Sequence, residues 1–177
     1  ADHIERHKSL KNYVNAKFKL LKSQISGSFA YVKKEDELIT KKLKKNIYSS
    51  KIYRVKTSNL NKKLNKITNK YFLSDGNKEN LSFILKIAQR LKLNYKKLIK
   101  TINKFKGLDF RQQIIFDKKN LIIINDSKST SFASSENILK NLNEVYWILG
   151  GIPKKGDKFK LSKLKCKNIK AYIFGLH

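Results

Sequence analysis

The stretch LIIINDSKST, residues 121–130, changes character within one residue. Leu121 to Ile124 form a consecutive apolar run, the pattern of a buried strand. Asn125, Asp126, Ser127, Lys128, Ser129 and Thr130 follow, and a helix is predicted over 133–142 with Ser134 or Ser135 as its N-cap. A carboxylate, an ammonium and several hydroxyls gathered before a helix N-terminus suit an anion, because the first helical N–H groups lack partners within the helix. Asp126 has the chemistry to hold a metal-nucleotide or a ribose. Lys128 can neutralise a carboxylate or phosphate, and Thr130 can donate to one. The same residue types also occur in loops that do nothing more than cap a helix. Local spacing leaves both readings open.

Other candidates are scattered along the chain. GGIPK puts Lys154 just past a Gly-Gly turn at a strand end, either as a substrate cation or as a surface lysine. DHIERH, residues 2–7, spaces His3 and His7 at i, i+4 with Asp2 and Glu5 nearby. That set could ligate a metal or form a polar helix start, and it lacks the H-E-x-x-H order of a zinc protease. Lys17 sits one position from Ala16 on an expected buried face. A partly buried lysine amine is more readily neutral, and a neutral amine can take up carbon dioxide to become a carbamate that binds Mg²⁺; nothing local demands this. Asn77 and Asn80, at a helix start, can contact an adenine or cap the helix.

These side chains need elements to position them. Residues 10–24 read as a helix with Tyr13, Ala16, Leu20 and Leu21 inward. Residues 28–34 and 51–57 read as strands with a short helix over 36–46 between them, and 58–70 as a loop or weak hairpin. YFL, 71–73, reads as a short strand. Leu81, Ile84, Leu85, Ala88 and Leu91 define the core face of a helix over 77–93, followed by a second helix with Leu98, Ile99, Ile102 and Phe105. Gly107 in KGLDF breaks the helical pattern and marks a domain boundary. Beyond it, 112–116 and 121–125 are strands flanking the turn DKKN, and 145–151 and 169–175 are further strands, the first of them buried. Strand, polar loop, helix, strand and Gly-Gly predict a βαβ unit in a parallel sheet. Ligands gather at the carboxyl ends of such strands, so NDSKST and GGIPK are expected on one edge, close together.

The formal charge is +28, which first suggests nucleic acid. The cations, however, are 37 lysines spread along the chain and only four arginines, in a sequence also rich in Asn and Ile. This pattern fits a compositional bias and a solvated lysine coat. The rare arginines Arg6, Arg54, Arg90 and Arg111 are the informative ones, since guanidinium suits bidentate contact with carboxylate or phosphate. The single cysteine, Cys166, excludes an internal disulfide and fits a reducing cytosol and a packing role. No apolar run approaches the ~18 residues of a membrane span, and no signal-peptide pattern is present. The chain has no Met, opens inside a motif and stops on a strand, so a fragment cut at both ends is expected.

Taken in order, the motifs resemble those of the Mur ligase family. DHIERH…NYVNAK resembles D-H-L/M-D-R-H…Y-x-x-A-K of the family's central ATPase domain. GNKENLSFILKIA resembles the H-N-x-x-N-x-x-A-A helix. FKGLDFRQQII resembles F-x-G-L-x-H-R-x-E, which opens the C-terminal domain. INDSKST resembles I-N-D-S-K-A-T-N, and ILGGIPKKGDKF resembles L-G-G-x-x-K-x-x-D-F. The matches run from residue 1 to 177, and N-D-S-K-x-T followed by G-G-x-x-K marks the member that adds D-glutamate.

The resemblance implies an α/β fold: residues 1–106 as the end of a P-loop-type central ATP-binding domain and 107–177 as the start of a Rossmann-like parallel-sheet C-terminal domain, both incomplete. It implies an ATP-dependent ligase adding D-glutamate to UDP-N-acetylmuramoyl-L-alanine through an acyl phosphate. Such an enzyme serves peptidoglycan synthesis, and through it cell shape and division, as a cytoplasmic monomer with no membrane insertion and no nucleic acid partner. ATP and Mg²⁺ are the implied cofactors. His3 and Lys17, as a carbamate, would hold Mg²⁺, and with Lys128 would be catalytic. Asn77, Asn80, Arg111 and Asp126 would contact ATP, and Lys128, Thr130 and Lys154 would hold D-glutamate and the transferring groups. The chain departs from the pattern at Phe110 for His, Gly76 for His, Glu5 for Asp and Ser131 for Asn. It carries no G-x-x-x-x-G-K-S/T loop and is expected to be inactive by itself. Alternatives are another Mur or folylpolyglutamate-type ligase, or a basic nucleic-acid-binding module. Binding to RNA or DNA that persists at physiological salt would favour the last.

Overall fold

The computed structural model describes residues 4–58, 66–152 and 156–175. The elements are α1 (Ile4–His7), α2 (Leu10–Lys22), β1 (Phe29–Lys33), α3 (Glu37–Lys44), β2 (Lys51–Val55), a 3₁₀ turn (Lys70–Leu73), α4 (Asp75–Arg90), α5 (Tyr95–Lys104), β3 (Gln113–Lys118), β4 (Leu121–Asn125), α6 (Phe132–Leu139), β5 (Val145–Gly150), α7 (Lys163–Cys166) and β6 (Ile169–Phe174). Spatial proximity groups Ala1–Lys63 with Ser82–Leu91 in one unit, and Leu64–Leu81 with Lys92–His177 in another. The units interleave in sequence, and the start of α4 joins the second through bonds from Asn77 to Gln112 and from Asp75 to Lys140.

In the first unit β1 and β2 pair in parallel, Phe29 opposite Lys51 through Lys33 opposite Val55. Ala30, Val32 and Val55 are buried there. Phe18 of α2 is buried and its ring faces Tyr48, with centroids 6.3 Å apart. The inward face of α2 differs in part from the expected one: Tyr13, Ala16 and Leu21 are half-buried, but Leu20 is exposed and Phe18 is buried instead. On the sheet, the Arg90 guanidinium lies over the Phe29 ring at 3.9 Å and donates to the Tyr53 hydroxyl at 2.8 Å. Tyr31 stacks on Tyr53.

In the second unit the segment expected as a strand at 71–73 is the 3₁₀ turn. The Asn69 side chain accepts from the Tyr71 N–H and donates to the Ile102 and Phe105 carbonyls, which curls the chain against the end of α5. Of α4, Leu81 in this unit and Ala88 in the first are buried as expected, whereas Ile84 and Leu91, also in the first, are exposed.

β3 and β4 form an antiparallel hairpin over Lys119 and Asn120, with a register shift between Ile114 and Phe116. Lys119 takes the left-handed φ of 51° that a tight hairpin turn requires. β5 pairs in parallel with β6, Val145 opposite Ile169 through Gly150 opposite Phe174. The expected β4–α6–β5 unit is thus corrected: among the described residues β4 and β5 belong to separate two-stranded sheets, and the parallel crossover runs β5–α7–β6. The expectation that β5 is buried is corrected too. Its Val145, Trp147 and Leu149 side is covered to varying degrees, with Trp147 in an aromatic cluster with Phe132 and Phe159. The alternate side leaves Tyr146 and Ile148 exposed. A parallel pair needs cover on both faces, and here the described residues supply it on one.

Candidate nucleotide and substrate site

The second unit gathers a polar cluster around Asp126. β4 ends at Asn125, whose side chain accepts from the Ser127 N–H at 3.1 Å and turns the chain. Asp126 then faces back toward β3. Its Oδ1 accepts from the Gln112 N–H at 3.0 Å, and its Oδ2 accepts from the Ser129 hydroxyl at 2.7 Å. The Asp126 carbonyl also accepts from the Ser129 N–H at 2.8 Å, closing a tight turn. The Lys128 N–H donates to the Phe110 carbonyl at 3.0 Å, which ties the loop to the segment before β3.

That segment is tightly bent. Phe110 and Gln112 both have left-handed φ, 62° and 50°, conformations unusual for non-glycine residues. The bend is held from several sides. The Gln113 side chain accepts from the Phe110 N–H at 3.1 Å and donates to Asp109 at 2.8 Å. Gly107, at φ 81°, lies so near the Tyr71 ring that a Cβ would come within 2.6 Å of it. Only glycine fits both the dihedral and the space.

Asn77 enters the cluster from α4. Its Nδ2 donates to the Tyr71 carbonyl at 2.8 Å and to the Gln112 Oε1 at 2.9 Å, so both amide hydrogens are engaged. The helix cap is Ser74, fully buried, whose hydroxyl accepts from the Asn77 N–H at 3.3 Å. The capping role open to Asn77 therefore falls to Ser74, while Asn80 is exposed. The start of α4 is also tied to the end of α6: Lys140 Nζ lies 2.7 Å from Asp75 Oδ2, and Asn141 donates to Asp75 Oδ1 at 3.3 Å. The hydrogen bond from Lys140 holds the Asp75 carboxyl below its ordinary range, against partial desolvation. Burial pushes the Tyr71 phenol above its ordinary value; the Arg111 guanidinium opposes this and the Asp126 carboxylate adds to it. Tyr71, Arg111 and Asp126 thus lie within electrostatic reach of one another.

The N-terminus of α6 differs from its expected form. Ser131, not Ser134 or Ser135, is the N-cap and accepts from the Ser134 N–H. The Phe132 N–H is taken by Asp157 Oδ2 at 2.8 Å. A carboxylate from within the chain already answers this helix end, so an incoming anion would rely on side-chain cations. Glu136 accepts from the Lys160 N–H, so 157–160 is bound along α6 at two points.

Of the expected site residues, the structure brings together Asn77, Arg111, Asp126 and Lys128, with Thr130 two residues on. Arg111, Lys128 and Thr130 are exposed and Asp126 is half-buried. Such a set offers acceptors for ribose hydroxyls and cations for phosphate or carboxylate, and so fits a nucleotide. Tyr71, Gln112, Ser129 and Asp157 were not anticipated. Ser129, at i+3 from Asp126, was open to inference from turn chemistry alone; the others depend on long-range placement.

His3 and Lys154 lie outside the described residues. His7 packs edge-on against Tyr13, ring centroids 5.4 Å apart. Lys17, in the first unit, is exposed, with Nζ 5.5 Å from the Tyr13 ring centroid. The burial on which the carbamate reading rested is not observed. Among the described residues no three His, Cys, Asp or Glu side chains are grouped as a metal site.

The Mur ligase middle-domain family model matches residues 1–100, and the chain belongs to the Mur ligase family. Its relatives narrow this further. A UDP-N-acetylmuramoylalanine–D-glutamate ligase of Rickettsia prowazekii is 28% identical over 193 residues, covering 98% of this chain and 43% of that protein. The ligase of the same name from Wolbachia sp. subsp. Brugia malayi is 29% identical over 98% of this chain and 37% of its own length. That from Francisella tularensis subsp. novicida is 31% identical over 98% of this chain and 41% of its own length. The chain thus spans less than half the length of these relatives.

Proposed function

We propose that this chain is the central part of an ATP-dependent ligase that joins D-glutamate to UDP-N-acetylmuramoyl-L-alanine in peptidoglycan precursor synthesis, in the cytoplasm. The observation that carries the reading is similarity to D-glutamate ligases over 98% of the chain, with N-D-S-K-x-T and G-G-x-x-K in family order. Residues 1–106 are assigned to the central ATP-binding domain and 107–177 to the C-terminal domain. The match to the middle-domain model over 1–100 supports that division.

The chemistry activates a carboxylate as an acyl phosphate, which the amine of D-glutamate attacks. Negative charge accumulates on the transferring phosphoryl group, and fixed cations stabilise it best when they are already in position. Arg111 is assigned to the phosphates and Asp126 to the ribose. The doubly bonded Asp126 carboxylate still has lone pairs to accept from ribose hydroxyls. Asn80 is assigned to the base; Asn77 shares that assignment, and its internal bonds to Tyr71 and Gln112 orient it. Lys128, Thr130 and Lys154 are assigned to D-glutamate and the transferring groups. Mg²⁺, when bound, would neutralise phosphate oxygens. His3 and Lys17, as a carbamate, are assigned to it on the match of DHIERH and NYVNAK to the family motif alone, since Lys17 is exposed.

The test is ATP-dependent phosphate release by the full-length protein with UDP-N-acetylmuramoyl-L-alanine and a panel of amino acids. Selective use of D-glutamate is expected. A preference for another amino acid would reassign the protein to a different branch of the family. Lys17→Ala should remove most turnover, with partial rescue by small carboxylates; unchanged turnover refutes the carbamate. The 177-residue chain alone should be inactive, since its sequence holds no P-loop.

A further inference from the structure

The Asp126 carboxylate is gripped on both oxygens, and one of the two donors comes from a position where the family motif has alanine. In N-D-S-K-A-T the fifth residue has no hydrogen-bonding group; here it is Ser129. Its hydroxyl donates to Asp126 Oδ2 at 2.7 Å, while the Gln112 N–H donates to Oδ1 at 3.0 Å. Gln112 is itself fixed through its side chain, which accepts from the buried Asn77 amide at 2.9 Å. We propose that Ser129 is a positioning residue for the nucleotide: with the Gln112 N–H it clamps the Asp126 carboxylate in the rotamer that meets the ribose. This rests on the reading that Asp126 faces the nucleotide.

The physical argument concerns preorganisation. A half-buried aspartate held by one donor can rotate about χ2 and present either oxygen. A second donor on the other oxygen fixes the plane of the carboxylate. The cost of ordering it is then met on folding and not on binding. A hydrogen bond to an ionised carboxylate is among the stronger kinds. Ser129 lies at i+3 in a turn also closed by its own N–H to the Asp126 carbonyl, so the hydroxyl needs little further ordering. The effect is expected on nucleotide affinity and not on the amino-acid side, which Lys128, Thr130 and Lys154 serve.

The experiment compares Ser129→Ala, Ser129→Thr and Asp126→Asn in the full-length protein, with thermal unfolding to confirm that each folds. Ser129→Ala should raise KM for ATP about tenfold, leave kcat within about twofold, and leave KM for D-glutamate unchanged. Ser129→Thr, which keeps the hydroxyl, should restore the ATP value. If Asp126→Asn weakens ATP and Ser129→Ala does not, the clamp is wrong while the nucleotide reading stands. If Asp126→Asn leaves KM for ATP unchanged, Asp126 does not face the nucleotide and both fall. Equal loss in Ser129→Ala and Ser129→Thr would point to packing and also overturn the clamp.

Discussion

The β1–β2 and β5–β6 pairs have the same parallel geometry and nearly equal length, yet they live in different surroundings. The first buries Ala30, Val32 and Val55 and carries Arg90 across its aromatic residues. The second leaves Ile148 at 73% and Ile173 at 74% exposure, with Tyr172 and Phe174 also exposed. Both strand pairs are apolar enough to be core. What separates them is how much cover the described residues supply. Burial is therefore not a property of a strand's composition. It depends on a second layer, and two-stranded parallel pairs are stable only where one is supplied.

Substitutions can widen or erase this contrast. Val55→Ala should cost about 2 kcal/mol in urea unfolding, through lost burial and a residual cavity. Ile148→Ala should change the same midpoint by less than about 0.5 kcal/mol; a loss as large as that at Val55 would mean the two sheets are equally covered. Arg90→Ala should cost about 1 kcal/mol by removing the guanidinium from the Phe29 and Tyr53 rings. It should also return the Tyr53 phenol, lowered chiefly by its hydrogen bond from Arg90, toward its ordinary value, as ultraviolet titration would read.

Another small effect concerns Asp75. Its carboxyl titrates lower in the fold than its ordinary value of 3.8, so the unfolded chain binds the proton first as pH falls. The Lys140 pair therefore contributes fully above that value and is lost as pH drops through the lower folded value. Asp75→Asn should flatten this acid limb of the unfolding curve, by well under 1 kcal/mol because the pair is half exposed. An unchanged limb would show that α4 and α6 are not joined through this pair.

Periodicity located β1, β2, α5 and the β3–β4 hairpin well, since each has its own apolar pattern and turn chemistry. It put Leu20 on the inward face of α2 and passed over Phe18, which is buried with its ring facing Tyr48, a partner distant in sequence. It read YFL as a strand because aromatic residues favour strands; the Asn69 side chain, bonding three backbone groups, overrode that preference. It also joined β4 to β5 as neighbours, a matter of pairing that a strand's own residues do not encode. Site residues followed the same division. Asp126 and Lys128 stand out by type, and Ser129 by its offset. Gln112 and Tyr71 enter through folding at a distance, one by a backbone N–H that any residue but proline could supply.

The bond from Phe132 to Asp157 bears on how portable the NDSKST stretch is. A loop that depended only on its own residues could be moved into another scaffold as a cassette. This one leads into a helix whose first N–H is answered 25 residues downstream, and whose Glu136 fastens the same downstream segment. Transplanting residues 125–139 without 157–160 would leave that helix start ragged. The heritable unit of this site is the pair of segments together, and an insertion between them is tolerable only if it lets them meet again.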